Sequence, residues 1–67
     1  MKELVERMIE LRKAKGLTQS EVAKMLCVSL QTYRRWERGL FPRYGFEYLI
    51  RIRSFYGVTL DYLCGVE

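Results

Sequence analysis

The chain carries its apolar residues at helical spacing from end to end. Leu4, Met8 and Leu11 recur at intervals of four and three, with Val5 and Ile9 widening the stripe, which predicts a first helix over 2–15. Gly16 supplies a stop, and Lys13 and Lys15 suit the negative end of a helix dipole. Thr18-Gln19-Ser20-Glu21 has the form of a capping box: a threonine hydroxyl satisfies an orphan backbone N–H while the glutamate reaches back. Val22, Ala23 and Leu26 then give an inward face to a second helix over 18–26. Ser29 can cap a third helix, which turns Tyr33 and Trp36 inward and stops at Gly39. The stretch 40–46 holds the chain's single proline beside Gly45 and reads as a loop. Leu49, Ile50, Ile52 and Phe55 mark a fourth helix closed by Gly57, and Thr59 can cap a short fifth carrying Leu60 and Leu63. No segment sustains the alternation of a strand, so the expected class is all-α.

At 67 residues the chain is expected to form one domain over 1–67. A chain of this size buries only about 60% of the surface its unfolded form exposes, so its core is small. Apolar runs of three or four residues are far below a membrane span, and the N-terminus, MKELVERMIE, lacks the apolar stretch of a signal peptide. A cytoplasmic protein is the expectation. There is no histidine, and Cys27 and Cys64 stand 37 positions apart with no metal-ligand spacing. A metal site is therefore rejected, and no cofactor or enzymatic activity is expected. The two thiols read as small buried residues of a reducing compartment, with a redox switch at Cys27 as a rival reading.

The net charge of +4 is unevenly spread. Residues 34–53 hold Arg34, Arg35, Arg38, Arg43, Arg51 and Arg53 against Glu37 and Glu47, while the last fourteen residues hold Asp61 and Glu67 and no base. A basic middle beside an acidic tail fits a polyanionic partner at one surface, or a merely solvated one. The third helix adds chemistry to the charge. Its outer face offers Leu30, Gln31, Arg34 and Arg35, and in the DNA major groove glutamine pairs bidentately with adenine and arginine with guanine. Tyr33 and Trp36 could stack on single-stranded nucleic acid, but their inward spacing favours core packing.

The ordered set LRKAKGLTQSEVAKMLCVSLQTYRRWERG and YLIRIRSFYGVTLDYLCG resembles the Cro/phage-repressor type helix-turn-helix family (XRE-like regulators) over nearly the whole chain. The resemblance implies a compact five-helix, lambda-repressor-like DNA-binding domain in which helices two and three form the helix-turn-helix. Helix two then sits over the DNA backbone and helix three lies in the major groove. Carried over position by position, Leu30, Gln31, Thr32 and Arg35 face bases, Arg34 serves a base or a phosphate, and Gln19, Ser29, Arg38 and Arg43 contact phosphates. Gln19 would be assisted by the dipole of helix two. Arg12 and Glu37 match a pair that forms a structural salt bridge in many relatives.

Cys27 stands where relatives usually have glycine, in a turn that favours a left-handed backbone. The loop before Leu49 is one residue longer than usual. Phe41, Tyr44, Phe46, Tyr48, Tyr56 and Tyr62 are too many for one small core, and exposed aromatics mark interfaces. The implied protein is a repressor acting by operator occupancy on double-stranded DNA. It would be a homodimer through its aromatic C-terminal part, on a palindromic operator. The rival of another class is an antitoxin-like or anti-repressor protein-interaction module that keeps the fold and binds protein through residues near Tyr44 to Tyr48.

Overall fold

A computed structural model describes residues 2–42 and 45–66. Among these residues the chain forms five helices and no strand: α1 (Lys2–Ala14), α2 (Gln19–Met25), α3 (Leu30–Glu37), α4 (Phe46–Tyr56) and α5 (Leu60–Leu63). Three of the helices begin on side-chain caps that the sequence announces. Thr18 Oγ1 accepts from the Glu21 amide at 3.1 Å while Glu21 Oε1 accepts from the Thr18 amide at 2.8 Å, completing the capping box of α2. Ser29 Oγ accepts from the Thr32 amide at 3.0 Å and opens α3; Thr59 Oγ1 does the same for α5 with the Tyr62 amide.

The helix ends follow one scheme. After each helix a residue takes a positive φ, and the next residue's amide donates back to the carbonyl five positions earlier. These bonds run from Leu17 to Arg12, Val28 to Ala23, Leu40 to Arg35, Val58 to Arg53 and Val66 to Asp61, at 2.9–3.1 Å. They are the long-range bonds of Schellman ends, and each donor is an aliphatic residue, as such ends favour. The left-handed residue is glycine in four cases and Cys27, at φ 61°, in the fifth. Cys27 thus occupies the bend between α2 and α3 with a Cβ in a conformation that disfavours one.

The core is assembled from the inner faces of all five helices. Leu4 and Met8 of α1, Val22 and Ala23 of α2, Tyr33 and Trp36 of α3, Ile52 and Tyr56 of α4 and Leu63 of α5 are all buried, together with Leu26. Helix α3 packs on both α1 and α2, and α5 closes against α1 and α4. Trp36 is the hub of an aromatic cluster, with ring centroids 4.9 Å from both Phe41 and Tyr48 and 6.1 Å from Tyr33. Gly45 is buried beneath that cluster. A Cβ there would stand 2.5 Å from the Phe41 ring, so the loop can cross only at a glycine.

Two expectations are corrected. Cys27 and Cys64 are exposed rather than buried. Each follows a helix end, Cys27 in the left-handed bend and Cys64 as the C-cap of α5, positions that face away from the core. The surplus aromatics are also fewer at the surface than their number suggested. Tyr56 is buried, Phe41 and Tyr48 cover Trp36, and Tyr62 lies under the Arg7 guanidinium at 4.3 Å. Phe46 remains 63% exposed, and Tyr44 lies outside the described residues.

A left-handed residue with a Cβ costs about 1–2 kcal/mol, while glycine gives back roughly 0.5–1 kcal/mol through its freer unfolded chain. Cys27→Gly is therefore expected to stabilise the protein by about 0.5–1 kcal/mol. The check is the urea midpoint at constant m-value; a midpoint at or below that of the parent would show that the bend imposes no such cost.

Candidate nucleic-acid interface

Helix α3 has two unlike sides. At about 100° per residue, Leu30, Gln31, Arg34, Arg35 and Arg38 share one outward arc of roughly 140°. Gln31, Arg34, Arg35 and Arg38 are exposed and Leu30 is half-buried. Among the described residues no ion pair or side-chain hydrogen bond engages Arg34, Arg35 or Arg38. Thr32 sits at the edge of the arc, half-buried. Ser29 Oγ donates to Thr32 Oγ1 at 2.8 Å besides accepting the Thr32 amide, so the Ser29 hydroxyl hydrogen is already spent inside the cap. Arg43, assigned to a phosphate from sequence, lies outside the described residues.

The inward side ends in a polar knot around Glu37. Its carboxylate, with a side chain 6% exposed, receives Arg12 Nε at 2.8 Å and the Tyr33 hydroxyl on Oε2. Oε1 receives Arg12 Nη2 at 3.2 Å and Gln19 Nε2 at 2.9 Å. Arg12 Nη1 turns the other way and donates to the Leu17 carbonyl at 3.0 Å, so the same guanidinium also braces the α1–α2 turn. Three helices meet on one anion, and the bidentate arginine fork adds direction to the attraction.

The electrostatics follow from this crowding. Burial works against the Glu37 carboxylate, but hydrogen bonds from Arg12, Tyr33 and Gln19 outweigh it and hold the carboxyl below its ordinary 4.5. Burial first, and the bond to Glu37 second, push the Tyr33 phenol far up. The Tyr56 hydroxyl is buried with no hydrogen-bond partner among the described residues; burial, resisted by the Arg12 charge, pushes it up to about 12.

Two participants were missed in the sequence. Tyr33 was read as core alone, although its i, i+4 relation to Glu37 puts both on one side of α3. Arg51, on α4, has Nη1 3.3 Å from the Leu26 carbonyl and its guanidinium carbon 5.6 Å from the Tyr48 ring centre. It thereby holds α4 to the end of α2, where the bend begins.

A bend of a few residues between two short helices, the second carrying a free cationic arc over a fixed base, is a helix-turn-helix. A family model described as helix-turn-helix matches residues 8–63. The chain belongs to the Cro/phage-repressor type, XRE-like, helix-turn-helix family. No curated protein and no solved structure matches it. The family is one of DNA-binding regulators rather than enzymes. Among the described residues no helix is long and apolar enough to cross a membrane.

Removing Arg12 leaves the Glu37 charge with two neutral donors. Arg12→Met is expected to cost about 3 kcal/mol, as for other ion pairs broken on one side only, and denaturant unfolding measures it. The pH dependence has a definite sign. A carboxyl whose folded pKa lies below its unfolded 4.5 contributes stability above that value and loses it as pH falls through the folded one. Stability of the parent is expected to fall on acidification below about pH 5, and Glu37→Gln, weaker at neutral pH, is expected to show a flatter decline. Parallel acid profiles would assign the acid sensitivity to other groups.

Proposed function

We propose that the protein is a sequence-specific transcriptional repressor that acts by occupying its operator, with α3 in the major groove. The observation that carries this reading is the division of α3. Its inner side is immobilised by Tyr33, Trp36 and Glu37, while Gln31, Arg34, Arg35 and Arg38 are exposed and the three arginines have no protein partner among the described residues. Gln31 and Arg35 lie one turn apart and suit base edges, with Leu30 beside them to meet a thymine methyl. Arg34 takes a base or a phosphate. Arg38, at the far end of the helix, suits a phosphate, as do Gln19 and Arg43; Ser29, whose hydroxyl hydrogen goes to Thr32 Oγ1, could meet one only through its backbone amide.

A homodimer on a palindromic site completes the proposal. The exposed apolar side chains Leu40 (62%), Phe46 (63%) and Ile50 (36%) lie in the loop before α4 and on α4 itself, the kind of surface that a second copy covers. Two-fold symmetry would set the paired reading helices about 34 Å apart, one turn of DNA.

The test is affinity selection from random duplex DNA at about 150 mM salt, with a Gln31→Ala/Arg35→Ala variant in parallel. A palindromic motif is expected for the parent and its loss for the variant, each removed contact being worth about 1–3 kcal/mol of discrimination. Arg38→Ala is expected to keep the motif and lower the slope of log affinity against log salt by about 0.9. Binding without a motif, equal in parent and variant, would overturn base reading by α3.

A further inference from the structure

Gln19 opens α2, yet its side chain reaches the end of α3. Its Nε2 donates to Glu37 Oε1 at 2.9 Å across 18 positions of sequence. Two consequences follow from the chemistry of the amide. A carboxylate only accepts, so the nitrogen of Gln19 must face Glu37. One amide hydrogen is thereby committed to Glu37, and the second hydrogen and the carbonyl oxygen are left without a partner among the described residues, on a side chain that is only half-buried. The partner is fixed, because Glu37 is also gripped by Nε and Nη2 of Arg12 and by the Tyr33 hydroxyl.

We infer that Glu37 is a positioning residue for DNA binding: it holds the Gln19 amide in its DNA-contacting orientation before DNA arrives. This rests on the phosphate role proposed for Gln19. A free glutamine side chain gives up most of its rotamer freedom when it docks. Gln19 has already given up that freedom on folding, so its contact to a phosphate oxygen comes without that penalty. The arrangement also links the grip on the DNA backbone to the reading helix, since Glu37 is the last residue of α3 and Gln19 the first of α2. A shift of α3 along its axis would carry the Gln19 amide with it.

The experiment is a double-mutant cycle with Gln19→Ala and Glu37→Gln, read as affinity for a short mixed-sequence DNA duplex across a salt series. The charge that Glu37→Gln adds strengthens binding equally on both sides of the cycle and cancels. In the parent background Gln19→Ala is expected to weaken binding about five-fold, the loss of one hydrogen bond. The salt slope is expected to stay unchanged, because a neutral amide displaces no counterion. In the Glu37→Gln background the same change is expected to weaken binding less than about two-fold. Equal losses in both backgrounds would overturn the positioning role, and so would no loss in either.

A second measurement stands apart from any variant. Side-chain amide relaxation of the free parent protein is expected to show Gln19 as rigid as the backbone, with an order parameter near 0.85; a value below about 0.6 would overturn the inference. Neither outcome touches base reading, which the selected motif and its loss in the Gln31→Ala/Arg35→Ala variant decide separately.

Discussion

The Glu37 carboxylate is the constraint on which the rest of the structure depends. A charge 6% exposed to solvent must be matched at close range, and here four hydrogens from three helices converge on two oxygens. Such a knot adds little net stability compared with a well-packed apolar equivalent. Its effect is on geometry. If α3 slid or rolled against α1 and α2, the anion would lose donors while staying buried, so only one setting of the helix satisfies it. The apolar core is far more tolerant of such a slide, since Val, Leu and Met contacts carry no direction.

Trp36 supplies the other half of the fixation. It precedes Glu37 in sequence and faces a different side, into the rings of Phe41 and Tyr48. With an ion knot on one flank and an aromatic cluster on the other, the exposed positions of the outer arc, Gln31, Arg34, Arg35 and Arg38, are not needed for packing and are free to carry polar and charged groups. That freedom has a cost. Arg34 and Arg38 stand at i, i+4, where like charges repel by a few tenths of a kcal/mol, and Arg35 adds a third cation. The C-terminal dipole of α3 offsets part of this, because all three lie in or after its last turns. A polyanion would compensate the remainder, so this charge pattern suits the nucleic-acid partner proposed for it.

The parts of this molecule that sequence discloses are those set by neighbours in the chain. Thr18 with Glu21, Ser29, and Thr59 cap the helices where their spacing placed them, and the stripes Leu4–Met8 and Val22–Ala23–Leu26 face the core. What escaped depends on distant neighbours. Arg12 and Glu37 are 25 positions apart, and only a family resemblance suggested their pairing; no local rule pointed to Gln19 joining them. Burial of the aromatics was illegible for the same reason. Whether Tyr56 or Phe46 faces inward depends on how α4 is rotated after the loop from Gly39 to Gly45, and helical periodicity fixes a stripe without saying which element will cover it. Ile50 and Ile52, two positions apart, divide in the same way, one at the surface and one fully enclosed.

Cys27 shows how far the fold constrains a position that its residue does not suit. The same helix-ending bond recurs five times, and four of the five left-handed residues are glycine. At the fifth, the Cβ penalty persists because the alternatives are worse. Relaxing Cys27 would break the bonds from Cys27 to Lys24 and from Val28 to Ala23, and would draw half-buried Val28 off the core. It would also swing α3 away from Glu37's donors on α1 and α2. The strain at the bend is therefore held by the same knot that holds α3. A substitution that relieves it while keeping the left-handed backbone, as glycine does, should leave the angle between α2 and α3 unchanged, because the bond from Val28 to Ala23 and the donors around Glu37 still hold both ends of α3.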